Sequence, residues 1–355
     1  AASNCREKIP QTDHLTLGTI TGGWSSEYRK GERRIEIYPH WMDWTPDGKA
    51  FIIHEFQGNL RRVESETFRE THQLNLGKNL TISKSAEGLL FCARTGRPDN
   101  PLILVDYDTL EPVQHIEGVW GVNGRESLTT AVGFDEKWKH IFQFEVKTGK
   151  ILAASKVEGL LDDLDRLGHR KISYQSGFLC ALLPDGQAMH FVTLPYECGV
   201  TGILKIEGKG IVLDEERFVS PTGEGRAEHN SVMTVFERYP SSEVSPDGQH
   251  LLAGVGSESN AKQRIQKVGL PLKGDELNGN LIRISRSGRF FIVKTMRGDR
   301  GSNSKLTVMN RGKVELEHDL KVTALDIAPH PVDESRILIY ARGVGTLEQR
   351  IPLGK

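Results

Sequence analysis

No run of apolar residues in this chain approaches the roughly 18 needed to cross a bilayer as a helix, and mean hydropathy is −0.40. An excess of one charge is missing too: 46 Lys and Arg stand against 47 Asp and Glu, for a formal net charge of −1. Interspersed charge of this kind argues against a general nucleic-acid or anionic-membrane surface. Catalytic signatures are also absent. There is no C-x-x-C-H, and so no attachment motif for a c-type haem of the chain's own. H-E-x-x-H, G-x-S-x-G and G-x-x-x-x-G-K-S/T do not occur. Gly254-Val255-Gly256 and Gly343-Val344-Gly345 lack the third glycine of a dinucleotide fingerprint and open no helix, so they read as turns between strands.

Cysteine is scarce, at four residues. Cys92 and Cys180 lie in apolar, strand-like runs and are expected as buried thiols. Cys5 and Cys198 lie in polar, turn-rich surroundings and are the candidates for an oxidised pair. The chain opens Ala1-Ala2-Ser3, which matches what signal-peptidase cleavage leaves behind. That start motivates the expectation of an extracytoplasmic location, either a periplasm-like space or an organelle lumen.

What the sequence has is glycine, 37 residues of it, between short β-branched runs. The organising unit is a tight turn feeding a strand. It is clearest at Ser245-Pro246-Asp247-Gly248, followed by Leu251 to Val255, and at Thr45-Pro46-Asp47-Gly48, followed by Ala50 to His54. Pro presets the φ of the first central position, Asp bonds back to the nearby backbone, and Gly takes the positive φ. Looser copies lie at 184–186 and 285–288, and Asp106-Tyr107-Asp108-Thr109 ends another strand. First strands of the successive units are expected near residues 39, 78, 119, 170, 239, 280 and 322. The common interval is about 40 residues, the period of four-stranded propeller blades.

The sequence therefore predicts an all-β chain, a single seven-bladed β-propeller domain over 1–355. The last unit is one strand short. A strand from the N-terminal segment 1–38, either Arg33 to Tyr38 or Leu15 to Ile20, is expected to complete it. Two stretches break the period. Residues 158–169 place Leu160, Leu161, Leu164 and Leu167 at helical spacing, which predicts a short inserted helix packed on its own ring. Asp162, Asp163 and Asp165 there only faintly resemble a calcium loop. Residues 219–231 are polar, Gly-rich and without strand pattern, inside the longest interval. Glu224, Arg226, Glu228 and His229 share this loop and are the candidate partner-contact or channel residues, with Glu224 a weak candidate for holding a cation.

The S/T-P-D-G turns and the Asp106–Thr109 strand end resemble the YVTN/WD40-like propeller superfamily along nearly the whole chain. The length, the processed-looking start, the missing haem motif and the acidic 219–231 loop resemble the haem-free propeller subunit of extracytoplasmic multihaem complexes, the hydrazine synthase type. That resemblance implies partner subunits, multihaem cytochromes, that carry haem c and do the chemistry, with an anammoxosome-like lumen as the compartment. It also implies a propeller that binds no cofactor alone and pushes a loop, through Glu224 or Glu228, toward the passage between the partners' sites.

Three functions follow from the residues. The first is a non-catalytic scaffold subunit of a larger assembly, which the hydrazine synthase resemblance implies is a redox one. The second is a propeller enzyme of lactonase or lyase type, with His40, Asp43 and neighbouring carboxylates at the channel mouth. The third is a carbohydrate- or peptide-binding module that stacks ligands on Trp24, Trp41, Trp44, Trp120 or Trp138. His54 and His190, in apolar strands, are expected as core residues, and Arg297 to Asn303 as a charged hairpin tip.

Overall fold

The computed structural model describes residues 33–35, 39–55, 58–77, 80–84, 88–94, 101–125, 128–135, 139–167, 178–193, 201–217, 243–248, 250–255, 262–267, 278–279, 281–298 and 301–353. Among them are seven four-stranded antiparallel sheets. The first sheet is β2 (Pro39–Trp44), β3 (Ala50–Glu55), β4 (Asn59–Glu64) and β5 (Glu70–Asn75). The second is β6 (Leu80–Lys84), β7 (Leu89–Arg94), β8 (Leu102–Asp106) and β9 (Pro112–Ile116). The third is β10 (Trp120–Gly124), β11 (Thr130–Phe134), β12 (His140–Glu145) and β13 (Ile151–Lys156). The fourth is β14 (Phe178–Leu182), β15 (Ala188–Thr193), β16 (Thr201–Glu207) and β17 (Gly210–Leu213). The fifth is β18 (Glu243–Val244), β19 (His250–Val255), β20 (Lys262–Lys267) and β21 (Asn278–Gly279). The sixth is β22 (Leu281–Ile284), β23 (Phe290–Gly298), β24 (Gly301–Asn310) and β25 (Lys313–Asp319).

The seventh sheet is β26 (Ala324–Pro329), β27 (Arg336–Ala341) and β28 (Gly345–Arg350), completed by β1 (Arg33–Ile35). β1 pairs antiparallel to β28, with Arg34 opposite Leu347. The N-terminal segment thus supplies the missing strand, from the first of the two expected stretches. In the fourth sheet β14 begins at Phe178, later than the expected start near 170. Residues 172–174, read from sequence as a further strand of that unit, lie outside the described residues.

The chain divides into two compact units. Within the described residues the first takes those up to Leu80, the turn Asp106–Glu111 and those from Leu281 onward. The second takes Thr81–Val105 and Pro112–Asn280. In the first unit one apolar core joins the sixth and seventh sheets around Phe291, Val308, Ile327 and Ile339, and another joins the seventh and first around Trp44, Phe51, Ala328 and Leu338. In the second, Phe91, Leu104, Phe142 and Phe144 fill the space between the second and third sheets. Phe134, Met189, Phe191 and Leu204 do the same between the third and fourth. The second strand of a sheet is apolar on both faces, as in β3, where Ala50 to His54 are all buried. The outer strand meets solvent, as in β25, where Lys313, Val314 and Glu315 are exposed. This gradient is what stacking sheets face to face demands, since each inner strand is covered on two sides and each outer strand on fewer.

Two turn types repeat. Between first and second strands, Gly48 donates its N–H to the Thr45 carbonyl at 2.9 Å with φ +71°. Asp47 accepts the Lys49 N–H at 3.0 Å, and the Thr45 hydroxyl accepts the Ala50 N–H at 3.1 Å. The same bond closes Ser245–Gly248, Leu183–Gly186 and Ser285–Gly288. Between third and fourth strands a five-residue turn places one residue at positive φ after a Thr: Phe68 at +56°, Leu110 at +52° and Gly149 at +68°. Each is followed by a register shift in the hairpin.

The inserted helix α1 (Val157–Arg166) packs as expected on its own sheets. Val157, Leu160, Leu161 and Leu164 are buried in the core of the third and fourth sheets, with Glu158, Asp162 and Asp165 exposed. No helix of the described residues is long and apolar enough to cross a membrane.

Candidate functional site

Glu224, Arg226, Glu228 and His229 lie outside the described residues, as do Cys5, Cys198, Trp24 and Trp138. The described chain on either side of that stretch ends at Arg217 and resumes at Glu243. β17 ends at Leu213, a short 3-10 turn follows at Glu215–Arg217, and the described chain resumes at β18. The departure point sits beside α1, because Arg166 forms an ion pair with Glu215. That partner raises the basicity of the exposed Arg166 guanidinium. The turn before β17 is fastened to β13: the Ala154 N–H donates to the Lys209 carbonyl at 2.9 Å, and the Ile211 N–H to the Ser155 hydroxyl at 2.9 Å. The end of α1 and the 3-10 turn after β17 are therefore held together through Arg166 and Glu215.

The first strands of sheets in the first unit carry charge. Asp43 on β2 accepts the Trp44 N–H at 2.8 Å. Asp326 on β26 accepts the Ile327 N–H at 2.8 Å and pairs with Arg283 on β22. Arg283 also donates to the Ile327 carbonyl at 3.2 Å. Asp326 thus fastens the sixth sheet to the seventh. His40 lies on β2, with its side chain outside the described set. Among the described residues no group of three or more His, Cys, Asp and Glu side chains is arranged to hold a metal ion, and Asp162, Asp163 and Asp165 are not brought together as one.

The other expectations fall on the fold. Cys92 and Cys180 are buried free thiols, and burial pushes both far above the usual thiol range. His54 and His190 are buried. Burial takes His190 down to about 4. Trp44 leaves the set of candidate stacking surfaces: it is buried, and its indole N–H donates to the Ala328 carbonyl at 2.9 Å.

One cluster was not singled out from sequence. His330, in the turn after β26, meets Trp44 edge-on with ring centroids 4.6 Å apart. Its Nε2 lies 3.0 Å from the Gly48 carbonyl. Its Nδ1 accepts the N–H groups of Val332 and Asp333 at 3.2 and 2.9 Å. Arg336 from β27 lies over the Trp44 ring at 5.4 Å and is held by Glu348 from β28. Desolvation, then the Arg336 charge, holds the His330 imidazole below its ordinary pKa. The only sequence signal was the short segment Pro329-His330-Pro331, which looks like any other turn.

Antiparallel four-stranded meanders packed through apolar faces within each unit are the pattern of β-propeller blades. No family model matches the chain, and no curated protein matches it by sequence. Solved structures do. The Cps50 (Swd1) β-propeller domain of Myceliophteria thermophila superposes with a TM-score of 0.54 at 12% identity, over 90% of this chain and 97% of that one. A chain of Kuenenia stuttgartiensis hydrazine synthase superposes with a TM-score of 0.55 at 11% identity, over 94% of this chain and 100% of that one. At such identities the likeness is one of fold.

Proposed function

We propose that the two units close into one seven-bladed ring. The ring serves as a non-catalytic scaffold subunit of a larger extracytoplasmic redox complex, comparable to hydrazine synthase. In this reading the partner subunits carry haem c and perform the chemistry. This chain holds them and contributes the 219–231 loop, with Glu224, Arg226, Glu228 and His229, to the assembly.

One observation carries the reading. In the sequence the interval between the fourth and fifth units is the longest of all, and the 219–231 stretch inside it is polar, Gly-rich and without strand pattern. Long insertions on a rigid repeat scaffold are where binding residues collect. The end-to-end superposition on a hydrazine synthase chain supports the same reading. The polar side chains of the described turns, Thr45, Asp47, Asp106 and Asp185, are committed to local backbone bonds. That is the behaviour of a framework.

The test is isolation of the native particle through this chain, with mass spectrometry and a haemochrome assay of what accompanies it. The expected result is partner subunits in fixed ratio, at least one bearing covalent haem. A free monomer with turnover of its own would overturn the reading.

A further inference from the structure

The seam between the first and seventh sheets is built differently from its counterpart elsewhere. Where the fourth sheet meets the fifth, the glycine of the Ser245–Gly248 turn faces Pro184, and an added Cβ would come 3.0 Å from the proline Cδ. Where the seventh meets the first, the corresponding glycine, Gly48, faces His330, and an added Cβ would come 2.3 Å from Cε1. An apolar ring fills one seat and a titratable ring the other.

The hydrogen bonds fix the state of that ring. A nitrogen that accepts two backbone N–H groups carries no proton, so Nδ1 is the bare nitrogen and Nε2 bears the hydrogen given to the Gly48 carbonyl. Adding a proton at Nδ1 sets three hydrogens against one another and breaks both turn bonds. The surrounding charges do not rescue the cation. Arg336 is 3.4 Å from Nε2 and is itself neutralised by Glu348. Asp333, in the same turn, accepts the Ser335 hydroxyl and lies 3.6 Å from Arg350. Asp47 and Lys49, from the turn facing the ring, pair with each other at 3.6 Å.

We propose that His330 is an acid-sensitive latch: neutral, it clamps the seventh sheet onto the Thr45–Gly48 turn of the first, and its protonation releases that seam. The seam it controls packs the first sheet against the seventh, the sheet in which β1 pairs with β28.

Hydrogen exchange on the full chain at pH 7.5 and 5.0, corrected for intrinsic rates, tests this. The probes are the segments 44–50 and 328–336, with 180–188 and 243–248 from the proline-filled seam as the internal control. The protein carries His190→Leu throughout, because His190 faces Ala181 in the control sheet and its own titration would loosen that control in acid; the His330 seam is then expected to lose about tenfold in protection at pH 5.0 while the control holds. His330→Asn keeps an oxygen acceptor for the turn and cannot titrate, so its seam protection is expected to be the same at both pH values. An unchanged His330 seam, a parallel loss in both seams, or an equal acid loss in the His330→Asn variant would each overturn the latch. Should the His330→Asn variant fail to fold, the two-seam comparison in the His190→Leu protein that keeps His330 decides alone.

Discussion

His190 offers a sharp test of how these sheets are packed. It sits on the second strand of the fourth sheet, opposite Ala181 on β14 and Ile203 on β16. Those neighbours belong to a small apolar cluster with Leu183 and Ala188, and His190 is 1% exposed. Burial disfavours the imidazolium and lowers the pKa from 6.5 to about 4. The unfolded chain, in which this His titrates near 6.5, therefore takes up the proton first as pH falls. Stability from neutral His190 is complete above about pH 6.5, declines between there and about 4, and is fully lost below. At about 1.4 kcal/mol per pH unit the loss comes to about 3 kcal/mol. His190→Leu is close in volume and cannot titrate. Urea unfolding of both proteins from pH 7.5 to 4 should show the wild type losing about 3 kcal/mol relative to the variant over that window. The carboxylates and remaining histidines are common to both and cancel in the difference. Parallel pH profiles, or a wild type that gains on the variant in acid, would refute the reading of His190 as a buried, neutral imidazole.

Other substitutions separate the forces in the fold. Gly58 and Gly288 have nearly the same φ, +89° and +88°, but a Cβ at Gly58 would come 1.7 Å from the Gly77 carbonyl oxygen while one at Gly288 meets nothing within 4 Å. Gly288→Ala should cost only the left-handed backbone penalty, about 1 kcal/mol, and Gly58→Ala several times more in the same unfolding assay. Asp326→Ala removes the carboxylate held by Arg283 and the Ile327 N–H, which should cost about 3 kcal/mol; an exchange-protection loss spreading through the sixth and seventh sheets is the accompanying sign. Leu164→Ala, 1% exposed in the core under α1, should cost about 3 kcal/mol and raise proteolysis between β13 and β14 before other sites.

Much of this fold was legible because its turns are written in residue types with narrow backbone roles. Thr45-Pro46-Asp47-Gly48 could be read directly as a turn, and its bonds are those the residue types dictate. The sheets begin at Pro39, Leu80, Trp120, Glu243, Leu281 and Ala324, all within a few residues of the expected starts. The fourth sheet was the exception, since Ile172 to Tyr174 looks apolar and β-branched enough to be its first strand. Phe68 and Leu110 hide the positive φ that Gly149 advertises in the same turn. Both are buried, so packing holds them in a conformation that their chemistry disfavours. The seam at His330 was illegible for a different reason. Its partners Trp44 and Gly48 lie more than 280 residues earlier in the chain, and only folding brings them together. The loop of Glu224 and His229 was flagged by the broken period rather than by any motif.

The central claim, that the sheets form one ring gripping neighbours through the 219–231 loop, is tested most directly by an electron-microscopy map of the native particle isolated through this chain. The account predicts seven sheets in a closed circle, with Arg33–Ile35 completing the last, and Glu224 to His229 seated against another subunit. An open arc of sheets, or that loop standing in solvent with no neighbour on it, would contradict the account.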